Sequence, residues 1–426
     1  MLSIDYIRKN KEKVIQNAMN KNRSVDIDQL LTLDDTRKYL MTAIQKLQEG
    51  RNVLSRQTVN NNIKATELSS IKIKGKEIKQ KLKELEKKHN DIEILFQKEL
   101  SFVPNVAYDE VPIGKDSSGN VEIKRSGDIP KFSFEPLSHF ELGKKLDIID
   151  LERGTKVSGF RGYFLKNEGA LLQMALLWYV FQKLSTKGYA PLIAPSIVKG
   201  FSLFGSGQFP WGEKEVYKLN DEDAYLAGTA EVPVTAYFSG EILDEKTLPK
   251  KFVAFSPCFR REAGSYGKDT RGLYRLHEFW KIEQVIIAKD DIGEAKKLHE
   301  ELQTNTEEIL KELGLPYRVM LMCTGDMGEP QMKKYDTEVW MPYRKGWGEV
   351  ASNSIMGDFQ ARRLNIKYRR QDRSTAYCYT LNDTAIPSPR ILVAILENYQ
   401  QRDESIIIPQ ILQSVVGLDT ISRKNF

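Results

Sequence analysis

Apolar residues recur at alternating three- and four-residue steps through the first quarter of the chain. Leu33, Arg37, Leu40, Ile44, Leu47, Arg51, Leu54 and Thr58 form one such seam; Ile71, Gly75, Ile78, Leu82, Leu85, His89, Ile92 and Phe96 form a second. Between residues 26 and 100 there is no proline, and glycine appears only at Gly50 and Gly75. The spacing predicts two long helices, and the polar, helix-poor residues 60–70 between them predict a turn. Two limbs folded back on each other make an antiparallel coiled coil. At a rise of about 1.5 Å per residue, about 35 residues give a limb roughly 50 Å long. An arm of that length is expected to project into solvent. His89 lies on the seam and reads as a packed residue before it reads as a ligand.

Beyond Pro104 the pattern changes. Residues 112–120, rich in glycine, serine and proline, are expected to form a linker, and the domain division falls at 1–104 and 105–426. Residues 171–184 predict an apolar-faced helix closed by Gly188, and 298–313 and 390–401 predict two more. Runs at 252–255 and 282–288 read as strands. Strands joined by turns, with few βαβ units, argue for an α+β fold on an antiparallel sheet with flanking helices. Neither a GxxxxGK[ST] loop nor a GxGxxG helix start is present, which disfavours a Rossmann-type nucleotide site.

Lys and Arg total 64 against 58 Asp and Glu, a net charge of +6, compatible with RNA binding without demanding it. Cys258, Cys323 and Cys378 are far apart and lack paired-ligand spacing. That disfavours a disulfide framework and a zinc site and favours a reducing compartment. Charged residues interrupt the amino terminus at once, and no apolar run approaches the ~20 residues of a membrane span. A soluble, cytoplasmic protein is expected.

The densest chemistry lies in residues 258–283. Arg260, Arg261, Arg271 and Arg275, with Glu262 and Glu283, surround a glycine-punctuated loop between two strands. Guanidinium groups bind phosphate or carboxylate oxygens in pairs, so the loop suits a planar polyanion. A solvated charged loop is the alternative. A second basic feature is the crowd of lysines on the second limb: Lys72, Lys74, Lys76, Lys79, Lys81, Lys83, Lys87 and Lys88. These form either a solvated helix face, supported by pairs such as Glu77–Lys81, or a phosphate-contacting surface.

Phe259-Arg260-Arg261-Glu262, followed by Phe279 and Glu283, resembles the second signature motif of class II aminoacyl-tRNA synthetases, in the form found in seryl-tRNA synthetases. Residues 188–198 resemble motif 1, and 380–390 with the following 391–400 resemble motif 3. Residues 227–232, 325–328, 336–342, 358–363 and 1–8 are similar to further segments of the same family. The resemblance implies an ATP- and Mg²⁺-dependent, homodimeric ligase acting on L-serine and tRNA(Ser), and on tRNA(Sec). It also implies an ATP site on the antiparallel sheet and a tRNA-binding helical arm.

The resemblance assigns roles residue by residue. Arg260 would bridge the α-phosphate and the amino acid carboxylate, Glu262 would read the adenine amino group, and Phe279 would lie against adenine. Arg390 would cover the other face, and Glu349 and Ser352 would hold Mg²⁺. Arg261, Leu276, Val350 and Ala351 complete the ATP set; Glu349 and Arg390 join Arg260 as catalytic. Serine would meet Thr229, Ala230, Glu231, Arg260, Glu283 and Thr384, the last two at its hydroxyl. Phe279 could instead be core, and Thr384 a turn hydroxyl. The resemblance tips the lysine face, with Lys72, Lys76, Lys79, Lys83 and Lys87, towards tRNA. Arg261, Tyr266 and residues 353–355 depart from the usual pattern, and Trp280 and Gln331 are also unusual. A synthetase-like protein that binds RNA without catalysis, and an enzyme that loads a carrier protein, are competing readings. The intact arginine–carboxylate set speaks against the first and the long arm against the second.

Overall fold

The computed structural model describes residues 1–58, 65–220, 222–263 and 271–423. The chain forms two compact units, residues 2–104 and 105–426, with Met1 assigned to the second.

In the first unit, helices α1 (Ile27–Thr58) and α2 (Ala65–Ser101) pack antiparallel along the expected seams. Leu40, Leu82 and Phe96 are buried, and most other seam residues are half-buried, His89 among them. Arg51 departs from this: it is exposed, and the neighbouring Gly50 faces Ile78 instead. Part of the expected turn, residues 59–64, lies outside the described residues. Residues 65–70 are helical, not turn, because Leu68 and Ile71, three apart and half-buried, already belong to the seam.

The base of this hairpin is held by charge. Asp34 on α1 is fully buried and meets Arg8 at 2.9 Å, Arg37 at 2.9 Å and Lys38 at 2.7 Å. Arg37 also lies over the Phe96 ring at 4.7 Å, which explains a guanidinium in an apolar seam.

The second unit is built on an eight-stranded sheet. Its strands are β1 (Val121–Ser126), β2 (Ala190–Ile193), β3 (Lys250–Phe259), β4 (Glu278–Ala288), β5 (Tyr317–Leu321), β6 (Lys333–Met341), β7 (Gly346–Gly357) and β8 (Tyr379–Ser388). The order is β1-β5-β6-β7-β8-β4-β3-β2, antiparallel except for β2 beside β3. Helices α4 (Asn167–Thr186) and α5 (Ile292–Glu312) contribute Leu172, Leu176, Leu302 and Ile309 to a core shared with Val253, Ile282 and Ile286 of the sheet. Two shorter helices matter below: α3 (His139–Lys145) and α6 (Arg390–Asn398).

Residues 112–120 are not a linker. The backbone N–H groups of Thr324 and Gly325 donate to Pro112 and Gly114, and Asn120 bonds Asp326 at 2.8 Å and the Cys323 N–H at 3.0 Å. The polar, turn-forming residues of this stretch are used to cap the β5–β6 connection. Cys258, Cys323 and Cys378 are all buried free thiols.

Burial would raise the Asp34 carboxyl, but hydrogen bonds from Lys38, Arg37 and Arg8 outweigh it and hold it at about 2. A carboxyl depressed from about 4 to about 2 contributes roughly 2 kcal/mol above its unfolded value, lost as pH falls through that interval. Asp34→Asn is therefore expected to cost about 2 kcal/mol at pH 7, with the deficit shrinking between pH 5 and pH 2. Urea unfolding of the full chain at several pH values, followed by helix signal, checks this. A deficit independent of pH would show that charge is not its cause.

Candidate active site

Successive residues of a strand point to opposite faces, and on β4 that alternation separates two environments. Gln284 reaches back towards α5, with Nε2 3.4 Å from the Leu302 carbonyl. Its neighbours Lys281 and Glu283 turn to the other face, where a cleft of about 230 Å³ opens. Its lining includes Arg260, Glu262, Leu276, Phe279, Glu349, Val350, Ala351, Ser352, Thr384 and Arg390. The structure thus brings most of the sequence-derived set together from β3, β4, β7, β8 and the start of α6.

Each arginine is oriented by a backbone carbonyl. Arg260 donates from Nε to Gly228 O at 3.2 Å, and its guanidinium lies 5.3 Å over the Phe279 ring. Arg390, where β8 passes into α6, donates from Nε to Tyr274 O at 3.0 Å and from Nη1 to Glu349 O at 3.1 Å. Its guanidinium stacks on Tyr274 at 4.6 Å. Glu262 takes a left-handed backbone conformation, φ +53°, and accepts from Arg275 at 2.8 Å.

A β-bulge sets the acidic corner. Glu338 of β6 pairs with Glu349 and Thr337 with Ala351, so Val350 is the extra residue. Three residues apart, Glu349 and Ser352 would face opposite ways on a regular strand; the bulge returns both to the cleft, while Val350 and Ala351 stay buried. The Glu349 carboxyl, 47% exposed, lies 3.8 Å from Arg390. Partial burial would raise it, but Arg390 and Lys334 hold it below the usual range. An accessible carboxylate and a hydroxyl on one side of the cleft are hard oxygen donors of the kind Mg²⁺ takes together with nucleotide phosphates, so the pair fits that ion.

Beneath the cleft sits a network that the sequence did not announce. Lys281 is almost fully buried and pairs with Glu283. Its ammonium also donates to Thr229 Oγ1 at 2.8 Å and Thr384 Oγ1 at 3.1 Å. Thr384 donates to Glu283 Oε2 and Asn382 to Glu283 Oε1, both at 3.0 Å. Lys281 therefore ties three of the serine-set residues together. The available signal was its position two residues before Glu283 on the same strand, which fixes a shared face. Glu231 is also buried, its Oε1 accepting from Gln360 at 2.8 Å. Burial, with Glu283 adding to it, pushes this carboxyl up to about 7.

Five residues of the set do not line the cleft: Thr229 and Glu283 belong to the network around Lys281, Glu231 is held by Gln360, and Ala230 and Arg261 stand apart. Ala230 is fully buried in an apolar cluster with Val234 and Val285 and does not line the cleft. Arg261 is exposed outside the lining, its N–H donating to Glu215 O at 2.9 Å. Tyr266 lies outside the described residues. Tyr274 and Lys334 line the cleft unannounced. The odd choice of Gln331 has a partner, Ser354 Oγ at 2.8 Å. Nothing here explains Trp280 beyond its edge contact with Phe255. In the other unit, Lys72, Lys76, Lys79, Lys83 and Lys87 are all exposed on α2, at three- and four-residue steps.

Comparison with known proteins places this geometry. The description "Seryl-tRNA synthetase N-terminal domain" matches residues 1–107, and "tRNA synthetase class II core domain (G, H, P, S and T)" matches residues 215–399. The chain is 44% identical over 424 residues to a serine–tRNA ligase of Treponema denticola, covering 99% of this chain and 100% of that protein. Its structure is similar to that of seryl-tRNA synthetase from Pyrococcus horikoshii complexed with ATP, with TM-score 0.91, 36% identity and all of both chains covered. It is also similar to the cytoplasmic serine–tRNA ligase of Naegleria fowleri in complex with AMP, with TM-score 0.86, 26% identity, 100% of this chain and 99% of that one.

The buried pair generates a stability prediction. Lys281→Ala leaves Glu283 buried without its cation, which typically costs about 3–5 kcal/mol. Replacing both partners, as Lys281→Met with Glu283→Gln, is expected to recover most of that loss. Urea unfolding of the two variants against wild type tests it; equal losses in both would show that the pairing is not what stabilises.

Proposed function

The chain belongs to the seryl-tRNA synthetase family of class II aminoacyl-tRNA synthetases, and from that membership we infer how its cleft activates serine and loads tRNA. It is an ATP-dependent serine–tRNA ligase. The observation that carries the residue-level reading is the convergence of Arg260, Glu262, Phe279, Glu349 and Arg390 on one cleft, over the buried Lys281–Glu283–Thr384 network.

Activation joins a serine carboxylate oxygen to the α-phosphorus of ATP and breaks the bond to the bridging oxygen, so pyrophosphate leaves. No strong base is needed; two anions must be brought together and the gathering charge stabilised. Arg260 does this at the α-phosphate and the carboxylate. Phe279 and Glu262 seat the adenine, by its face and its amino group, and Arg390 takes the γ-phosphate. Glu349 and Ser352 would hold Mg²⁺, which when bound would supply further positive charge to the phosphates. A tRNA terminal hydroxyl then attacks the seryl carbonyl and AMP departs.

Glu283 and Thr384 read the serine hydroxyl, and Thr229 and Glu231 the ammonium side. Alanine is disfavoured because it offers no hydroxyl to the cleft-lining Thr384 and so forgoes the hydrogen bond that serine gains there. The exposed lysines of α2 contact the tRNA backbone, whose charge they match without reading bases. Substrates are tRNA(Ser) and tRNA(Sec). The protein works in the cytoplasm; among the described residues no helix is long and apolar enough to cross a membrane. It acts as a homodimer. Leu171, Met174 and Trp178 form a stripe on one face of α4, each more than half exposed, and Ile193, 81% exposed, ends the edge strand β2. Exposed apolar surface of this kind marks protein–protein contact.

ATP–pyrophosphate exchange with serine, alanine, threonine and glycine tests the reaction: exchange is expected with serine and to fall at least a hundredfold in Arg260→Ala. Sedimentation of the same preparation should give a dimer. Combined alanine substitution of Lys72, Lys76, Lys79, Lys83 and Lys87 should keep exchange and lose charging of tRNA(Ser). Exchange without serine preference, or unimpaired charging by that variant, would overturn the respective assignment.

The raised carboxyl of Glu231 adds a pH signature. It must be ionised to accept the substrate ammonium, so the KM for serine should fall as pH rises through about 7. Glu231→Gln should raise that KM about tenfold and flatten the dependence, as steady-state exchange between pH 6 and 8 will report.

A further inference from the structure

The far side of the loop that carries Tyr274 rests on a buried histidine. His139, at the start of α3, and Glu397, near the end of α6, are almost fully buried. His139 Nε2 lies 3.0 Å from the backbone N of Leu273, and Nδ1 lies 2.7 Å from Glu397 Oε1. The Leu273 N–H can only donate. Nε2 must therefore be the lone-pair nitrogen, and the ring proton sits on Nδ1, directed at the carboxylate. Glu397 is itself fixed, accepting from the backbone N–H groups of His139 at 3.3 Å and Tyr343 at 3.1 Å.

The chain comes against this ring so closely that only glycine fits beside it. Gly272 has φ +79°, and a Cβ there would lie 2.0 Å from His139 Nε2. On the other side of the contact, Leu273 and Tyr274 line the cleft. The Tyr274 carbonyl holds Arg390 Nε, its hydroxyl donates to Glu349 O at 3.2 Å, and its ring supports the Arg390 guanidinium. Glu397 and Arg390 lie at the two ends of α6. That helix therefore grips residues 273–274 twice, directly through Arg390 and through the Glu397–His139 relay.

We propose that His139, oriented by Glu397, is a positioning residue for ATP: it fixes the Leu273 amide, and through it the Tyr274 carbonyl and ring that aim Arg390. It does not itself line the cleft, and its hydrogen bonds run to Glu397 and Leu273, not to the Lys281–Glu283–Thr384 network. Its loss should therefore act on nucleotide and not on serine. This rests on the assignment of ATP to the cleft made above.

Two near-isosteres separate the histidine's two bonds. His139→Gln can still place an oxygen near the Leu273 N–H, whereas His139→Asn keeps a donor for Glu397 but cannot reach Leu273. In serine-dependent pyrophosphate exchange, His139→Asn is expected to raise the KM for ATP about tenfold with the KM for serine within twofold. His139→Gln should restore it to within about threefold of wild type. Calorimetric titration with ATP alone should show the same order. Glu397→Gln, the milder second variant should His139→Asn not fold, is expected to raise the KM for ATP about threefold. Unchanged KM for ATP in the folded variants, equal losses for ATP and serine, or no advantage of Gln over Asn would each overturn the proposal. Absence of serine-dependent exchange in the wild type would instead defeat the functional reading itself.

Discussion

The catalytic unit is organised around one ammonium–carboxylate pair that has almost no access to water. Lys281 and Glu283 stand two residues apart on β4, so both project to the same face and neither can turn away. Alone, either charge would be costly to bury; together they are tolerated only if their remaining donors and acceptors are also met. Thr229, Thr384 and Asn382 meet them, and those three come from a loop and from β8. The register of β8 follows from this need. Ile282 pairs with Ile386 but Glu283 pairs with Thr384, so the strand accommodates one extra residue, Ala385, at the point where the hydroxyl must face the carboxylate. The other face of the same strands is polar as well. Gln284 and Thr306 bond the buried Asp383, whose carboxyl burial pushes well up. A sheet with hydrogen-bonded side chains on both faces has one acceptable register, since a slip by one residue would strand all of them.

Two of the bulges in the sheet re-aim side chains beside the cleft. At Val350 the extra residue brings Glu349 and Ser352 to the same side, and at Ala385 it sets Thr384 against Glu283. Both sit in the interior of the sheet, beside the cleft. Each disrupts the ladder locally.

Periodicity carried the arm well. The seams at Leu40, Leu82 and Phe96 were legible because apolar spacing is a local property of the sequence, and Arg51 misled because a one-residue drift placed Gly50 inward instead. The cleft arginines and Glu262 were legible through a dense motif. Lys281 was not, because a lysine between two apolar residues of a strand reads as an outward-facing charge unless its spacing to Glu283 on the same strand is read as a buried pair, which the hydroxyls of Thr229 and Thr384 from elsewhere in the chain make tolerable. Residues 112–120 misled for a related reason. Glycine, serine and proline mark a turn, but whether a turn links units or caps a connection depends on distant groups such as Cys323 and Asp326. The relay from His139 joins segments more than 130 residues apart in sequence, and no local pattern announces it.

The cleft also shows how positive charge is held in place without being spent. Arg260 is anchored on Gly228 O, and Arg390 on the carbonyls of Tyr274 and Glu349. A carbonyl is a dipole and not an anion, so such an anchor fixes the guanidinium's direction and leaves its net charge to the ligand. Anchoring by carboxylates would orient equally well but neutralise the charge that a polyphosphate requires. Where carboxylates do occur they are placed differently: Glu262 pairs with Arg275, and Glu349 keeps 3.8 Å from Arg390. Stacking adds direction at little electrostatic cost, since the faces of Phe279 and Tyr274 attract a cation without cancelling it. Guanidinium groups whose direction is already fixed need little reorganisation when an anionic ligand meets them.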